Sequence, residues 1–291
     1  MKVCSACGKR FNSLEWSCPD CSHTPKRIEG FLAFAPSLAE ANDGFEAKAF
    51  TKLATLEAKN FWFVSRNHLI IWALQRYFPQ AKNFLEIGCG TGFVLSGIEQ
   101  AFPQMTLSGS EIFTAGLGYA AQRLSKSELF QMDARQIPFE NEFDAIAAFD
   151  VLEHITEDTA VLSQMYQATR KRGGIILTVP QHRWLWSQAD DHAHHVRRYD
   201  AQELKTKVES AGFEVVRMTS FVSLLLPLML LSRLRQRRPK PDYDGASELK
   251  ISGWLNTILE SILHLERTLI QIGISFSMGG SLLLVAKTCK K

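Results

Sequence analysis

Four cysteines come first among the residues able to do chemistry. Cys4-x-x-Cys7 is followed ten residues later by Cys18-x-x-Cys21. Two such knuckles supply four thiolates, the donor set of a tetrahedral Zn²⁺, and Gly8 allows the tight turn after the first pair. With all four positions filled by protein no coordination site is left for substrate, so the ion would be structural, holding a segment too short to fold alone. His23 is expected in solvent, and Cys89 and Cys289 read as ordinary thiols. A second set begins at Glu86-x-Gly88-x-Gly90-x-Gly92, where three glycines permit a tight turn and close approach of backbone to a ligand. Acids recur beyond it at Glu111, Asp133 and in Asp150-Val-Leu-Glu153-His154. A carboxylate about 20 residues past a glycine turn is where a nucleotide cradle of the Rossmann type binds ribose hydroxyls, which assigns that role to Glu111. His154 offers an imidazole able to take a proton near neutral pH.

The elements that must hold these residues are legible around them. Residues 84–87 read as a buried strand and Phe93 opens a helix, so strand, glycine turn and helix N-terminus together form a cradle. A dinucleotide fingerprint requires a sixth-position glycine, and Phe93 stands there instead. Further strands are predicted at 106–111, 128–131, 143–149, 175–180, 213–219 and 281–287, the last antiparallel. The run 143–149 is nearly continuous in apolar character, as the middle of a parallel sheet requires. A helix is expected over 157–171, closed by Gly173-Gly174, and another over 201–211 closed by Gly212. Ligands in open α/β sheets bind beyond the strands' carboxyl ends, which brings Asp150, Glu153 and His154 to the cleft. The loop 181–199 carries Trp184, Trp186, Asp190, Asp191, His192, His194, His195, Arg197, Arg198 and Tyr199. A polar and aromatic loop of this kind above a sheet is where acceptor specificity resides. The aromatics Phe61, Trp62 and Phe63 are expected as helix core, with a lid over the acceptor as the alternative.

With Glu86, the three glycines and Glu111 in place, the chain resembles class I S-adenosylmethionine (SAM) dependent methyltransferases of the small-molecule type, similar to those of ubiquinone and menaquinone biosynthesis. The resemblance runs from about residue 60 to 287. It implies an α/β, doubly wound, seven-stranded Rossmann-like sheet, with Asp133 meeting the adenine amino group between Met132 and Ala134. Asp150 joins the cofactor site, and the Val-Leu-Glu-His element resembles one common in these enzymes. Some relatives use an acid-x-x-Glu-His set for a divalent cation, to which Asp150, Glu153 and His154 would correspond. No Asn-Pro-Pro-Tyr motif follows the strand, which argues against methylation of nucleic-acid bases. The His-x-Arg-Arg-Tyr stretch also has counterparts in relatives.

The expected organisation is a zinc ribbon over 1–30, a linker and helices over 31–80, and the methyltransferase domain over 81–291 with a helical insertion at 221–275. The ribbon is expected to be separable from cofactor binding. The expected reaction is methyl transfer, as O-methylation with His154 as base, to a small-molecule, lipid-like or glycan acceptor. An RNA methyltransferase gripping RNA through Lys9, Arg10, Lys26 and Arg27 is the alternative, and a non-catalytic zinc-ribbon adaptor the third reading. The net charge of +3 is too mild to demand nucleic acid. With 46% hydrophobic and 22% charged residues in 291, a full core is available. No apolar signal region precedes Phe31, so a cytoplasmic protein is expected. The apolar stretch 221–231 is too short to span a bilayer, which takes about 20 residues. Followed by Arg233, Arg235, Arg237, Arg238 and Lys240, it suits peripheral contact with a membrane face.

Overall fold

A computed structural model describes residues 1–39, 47–235 and 251–289. The chain begins with a two-stranded ribbon, β1 (Lys2–Val3) and β2 (Arg10–Phe11), then a hairpin, β3 (Lys26–Ile28) and β4 (Phe31–Ala33). Two helices follow, α1 (Ala47–Leu56) and α2 (Phe61–Tyr77). Strands and helices then alternate through β5 (Asn83–Ile87), α3 (Phe93–Ala101), β6 (Thr106–Glu111), α4 (Thr114–Arg123), β7 (Glu128–Gln131), β8 (Phe143–Phe149), α5 (Asp158–Ala168) and β9 (Thr169–Pro180). The last part holds α6 (Gln188–His192), α7 (Ala201–Ser210), β10 (Phe213–Phe221), α8 (Leu226–Arg235), α9 (Gly253–Gln271) and β11 (Ser281–Thr288).

The main sheet has the order β10-β11-β9-β8-β5-β6-β7-β4-β3. Its central strands are parallel, and β11 is antiparallel to both neighbours. The order reverses between β5 and β8, the switch point where ligands bind in doubly wound sheets. Alternation along β8 shows why that strand is apolar from Ala145 to Phe149. Ala145, Ala147 and Phe149 face a core shared with α2, α3 and α9, while Ile146 and Ala148 face one shared with α5 and α7. Both faces are covered, so no position can be polar without a buried partner.

The expected strands are all present, and two local expectations are corrected. The seven strands expected are β5 to β11, and the N-terminal hairpin adds two more at the edge: β4 pairs parallel to β7 through Leu32↔Phe130 and Ala33↔Gln131. The boundary expected at residue 30 falls in the turn of that hairpin, and Phe11 and Trp16 lie in one core with Phe130 and Phe139. The ribbon is therefore packed against the sheet and not tethered beside it. The helix expected to reach residue 171 ends at Ala168, and Gly173-Gly174 belong to β9. A Cβ on Gly174 would lie 2.1 Å from the Ala286 carbonyl, so this glycine serves close strand approach and not a helix cap. The stretch 221–231 is also not one element, since β10 ends at Phe221, Val222 takes a left-handed φ of +58°, and α8 starts at Leu226. Arg237, Arg238 and Lys240 lie outside the described residues. Among those described, no helix is long and apolar enough to cross a membrane.

Candidate functional site

Gly88, Gly90 and Gly92 all have positive φ, at +67°, +52° and +74°. A Cβ on Gly88 would stand 2.5 Å from Val151 Cγ2, and one on Gly92 2.9 Å from Ala120 Cα, so neighbouring elements leave no room for side chains. Glu111, at the end of β6, is oriented by this turn. Its Oε2 accepts from Gly90 N–H at 3.1 Å, and its Oε1 from the N–H groups of Ile112 at 2.8 Å and Phe113 at 3.3 Å. Burial pushes the carboxyl above its usual range, and those three donors partly offset the shift. Glu86, buried directly before the turn, has an Oε2 with no partner, and burial raises its carboxyl to about 8.

Gly88, Glu111, Met132, Asp133, Ala134 and Asp150 all border one cavity of about 1270 Å³. Glu86, Gly90 and Gly92 stand behind its wall, as part of the strand and turn that shape it. Asp133 does not wait free in this wall. Arg135 grips both its oxygens, Nε at 3.0 and 3.1 Å and Nη2 at 2.9 Å. Asp150 takes a left-handed φ of +57° and forms an ion pair with Arg66 of α2. Burial lowers Arg66 to about 10, and its guanidinium lies 4.5 Å from the Trp62 ring centre.

That ion pair corrects the expected cation set. Asp150 is engaged by Arg66, and the groups that gather instead are Glu153, His154 and His195, with one side-chain donor atom of each within 4.8 Å of the others. Glu153 is fully buried with both oxygens unpartnered, and burial raises it to about 8. The rings of His154 and His195 meet edge to face at 4.7 Å. Burial, with His195 beside it, lowers His154 to about 4, so its imidazole is neutral at physiological pH. The His154 ring is exposed toward the cavity it borders. His195 is held by Asp190, whose Oδ1 lies 2.9 Å from Nδ1 and also accepts from Arg198 Nε at 2.7 Å. Burial works against the Asp190 charge, yet His195 and Arg198 hold its carboxyl at about 2.

Sequence reasoning missed several of these residues. Glu57 is buried and accepts from Thr91 Oγ1 and Arg123 Nη1, both at 2.6 Å, tying the end of α1 over the glycine turn. Arg66 carried no local signal because its partner Asp150 lies 84 residues away on another element, and Asp190, named with the loop 181–199, gained its role only through His195. Phe61 and Trp62 pack against the core shared with α3 and α9 and Phe63 is buried, as expected of helix core, and the same three side chains also line the cavity. At the other end of the chain, Cys4, Cys7, Cys18 and Cys21 converge. Sγ–Sγ distances of 3.6 Å for Cys4–Cys21 and Cys7–Cys18 match the roughly 3.8 Å edge of a tetrahedral Zn–thiolate site. The residues thus fit zinc, held by these four side chains. His23 is bonded to Ser5 at 3.1 Å and lies outside the cluster. Of the basic residues proposed to grip RNA, Lys9 pairs with Asp20, Arg10 with Glu140, and Arg27 donates to the Gly30 carbonyl.

Residues 63–218, more than half of the chain, match a family model described as a methyltransferase domain. The chain belongs to that family. A protein of Mycolicibacterium smegmatis described as a probable S-adenosylmethionine-dependent methyltransferase is 25% identical over 164 residues, covering 55% of this chain and 62% of that protein. Trans-aconitate 2-methyltransferase of Deinococcus radiodurans is 28% identical over 143 residues, 48% of this chain and 52% of that enzyme. The chain thus matches about half to three-fifths of the length of these two relatives. Among solved structures, phosphoethanolamine N-methyltransferase 2 of Haemonchus contortus, in complex with SAM, superposes with a TM-score of 0.56 at 18% identity, over 86% of this chain and 59% of that one. At that identity the likeness speaks for the fold, which is that of class I SAM-dependent methyltransferases.

Proposed function

We propose that the protein is a SAM-dependent methyltransferase that modifies the polar head, a hydroxyl, of an amphiphilic small molecule. One observation carries this reading: the cradle and a second compartment form a single cavity. Its volume of about 1270 Å³ exceeds the 300–1,000 Å³ usual for one small ligand. The second compartment is polar where Glu153, His154, His195 and Arg198 border it, and apolar where Leu225 is joined by Leu228 and Met229 of α8 and Leu255 and Leu259 of α9. One cradle residue fits SAM in particular: Glu111 borders the cavity and is preset by three backbone donors to accept from a ribose hydroxyl.

When bound, SAM supplies an electrophilic methyl carbon. The residues of this chain then have to align an acceptor oxygen, exclude water and receive one proton. Alignment contributes most, since fixing two reactants in a closed cavity replaces a bimolecular encounter. His154 and His195 both border the cavity and offer ring nitrogens that can receive the proton. Asp190 donates nothing but fixes the His195 ring through Nδ1 and stabilises it once protonated. Exposed Leu228 and Leu231 on α8 and Trp254 and Ile258 on α9 suit peripheral contact with a membrane from which such an acceptor is drawn.

The test is incubation with methyl-labelled SAM and fractionated lipid, glycan and RNA extracts, with flotation on anionic vesicles at low and high salt. Label in the organic-solvent fraction and salt-sensitive flotation are expected. Label confined to RNA or glycan would refute the acceptor class, and failure to bind SAM in calorimetry would refute the activity.

A further inference from the structure

The N-terminal metal knuckle lies far in sequence from the cofactor cradle, yet its hairpin backs all three segments of that cradle. Behind the glycine turn, Phe31 packs against Cys89, Leu117 and Ala120. At the adenine strand, Phe34 N–H donates to the Gln131 carbonyl at 2.9 Å, immediately before Met132 and Asp133. The third link runs through a side chain. Gln131 is fully buried, and its amide makes a closed pair with Ala35: Oε1 accepts from Ala35 N–H at 3.0 Å, and Nε2 donates to the Ala35 carbonyl at 2.8 Å. The same Nε2 donates to the Ile112 carbonyl at 3.1 Å, reaching the residue after Glu111. Ile112 N–H is one of the three donors that orient the Glu111 carboxylate.

The knuckle itself is joined to this clasp by aromatic packing. Trp16, two residues before Cys18, meets Phe34 at 4.4 Å between ring centres and Phe139 at 5.3 Å, and Phe34 meets Phe130 at 5.7 Å. Cys4 and Cys18 are buried in that same core. A path of contacts therefore leads from the thiolates through Trp16 and Phe34 to Gln131, and from Gln131 to both the ribose and adenine ends of the cradle.

We propose that the zinc knuckle is part of the cofactor site, with Gln131 as the positioning residue that couples metal occupancy to SAM affinity. Four Sγ atoms within bonding reach of one ion are what tie the two knuckles together, so the segment loses its cross-link and opens when zinc leaves. Trp16 then releases Phe34, and the Ala35 pair with Gln131 loses its support. Gln131 would be left buried with unmet donors and acceptors, a state that favours rearrangement of the 131–134 and 111–113 segments. Coupling of this kind is reciprocal, so SAM or its product must tighten zinc binding by the same free energy that zinc adds to SAM binding, and slower loss of zinc is its expected kinetic sign. This inference rests on the SAM reading of the cradle.

The experiment is calorimetry of S-adenosylhomocysteine and SAM on zinc-loaded wild type, on chelator-treated wild type with and without restored zinc, and on zinc-loaded Gln131→Ala and Gln131→Glu. Circular dichroism verifies the fold. Zinc removal should weaken cofactor binding at least tenfold, reversed by zinc. Gln131→Ala should weaken it at least fivefold, and Gln131→Glu, which sets a carboxylate oxygen against the Ala35 and Ile112 carbonyls, should weaken it at least as much. A chromogenic chelator should draw zinc from wild type more slowly when S-adenosylhomocysteine is saturating, an effect that Gln131→Ala abolishes and that a purely structural glutamine would not influence. Cofactor affinity within twofold of wild type in both the zinc-free protein and Gln131→Ala overturns the proposal. If the zinc-free chain unfolds, the two Gln131 variants and the chelator rates decide by the same thresholds. Absence of cofactor binding in zinc-loaded wild type would instead refute the SAM reading.

Discussion

Replacing Glu111 tests the cradle most directly. A carboxylate offers about four lone-pair directions, and in this structure three are filled by the N–H groups of Gly90, Ile112 and Phe113. One strong acceptor direction is left for a ribose hydroxyl. A hydrogen bond to a charged group is worth about 1.5–3 kcal/mol net, so Glu111→Ala should weaken SAM about 10- to 150-fold. Glu111→Gln should do little better, although it preserves shape. Whichever way its amide turns, an NH₂ faces Gly90 N–H or Ile112 N–H, a donor against a donor. Both variants also leave backbone donors in the turn unpaired, which should lower the melting temperature of the ligand-free protein. Isothermal calorimetry with SAM and thermal unfolding by circular dichroism measure the two effects. A dissociation constant within threefold of wild type for both variants would sink the assignment of Glu111 to the ribose.

Two further outcomes are expected. His154→Ala and His195→Ala should each cut methyl incorporation into the acceptor fraction at least tenfold while leaving SAM affinity within twofold, because both rings border the second compartment and not the glycine turn; equal losses in both quantities would show that they shape the cradle. Burial works against the Asp158 carboxylate, but Lys207 at 2.6 Å, Tyr199 at 2.7 Å and Arg197 together hold it below its usual range. A depressed carboxyl contributes stability above its unfolded value of about 3.9 and loses it as pH falls through the folded value, so the destabilisation by Lys207→Met measured in urea at pH 7 should shrink below about pH 4. A destabilisation unchanged down to pH 3 would assign the effect to lost packing.

Local chemistry made the cofactor half legible. Positive φ at Gly88, Gly90 and Gly92 follows from steric limits on single residues, and an acid at the end of the next strand follows from the length of one βαβ unit. The four cysteines likewise reveal their chemistry by spacing alone. Tertiary structure decided what depends on the choice among distant partners. Both Asp150 and Glu153 are acids at a strand's end, but only packing of α2 against the sheet puts Arg66 beside the first and leaves the second unpartnered. His195 was one histidine among several in a loop until Asp190, capped within α6, fixed its ring at the cavity. Residues 26–33 contain too few side chains to announce a strand, and they become one because β7 presents an open row of backbone donors and acceptors beside an apolar surface that Phe31 and Phe34 can cover. Sequence sets which groups can react or ligate, whereas a partner's identity is a property of the packed chain, since its energy comes from surfaces brought together across tens of residues.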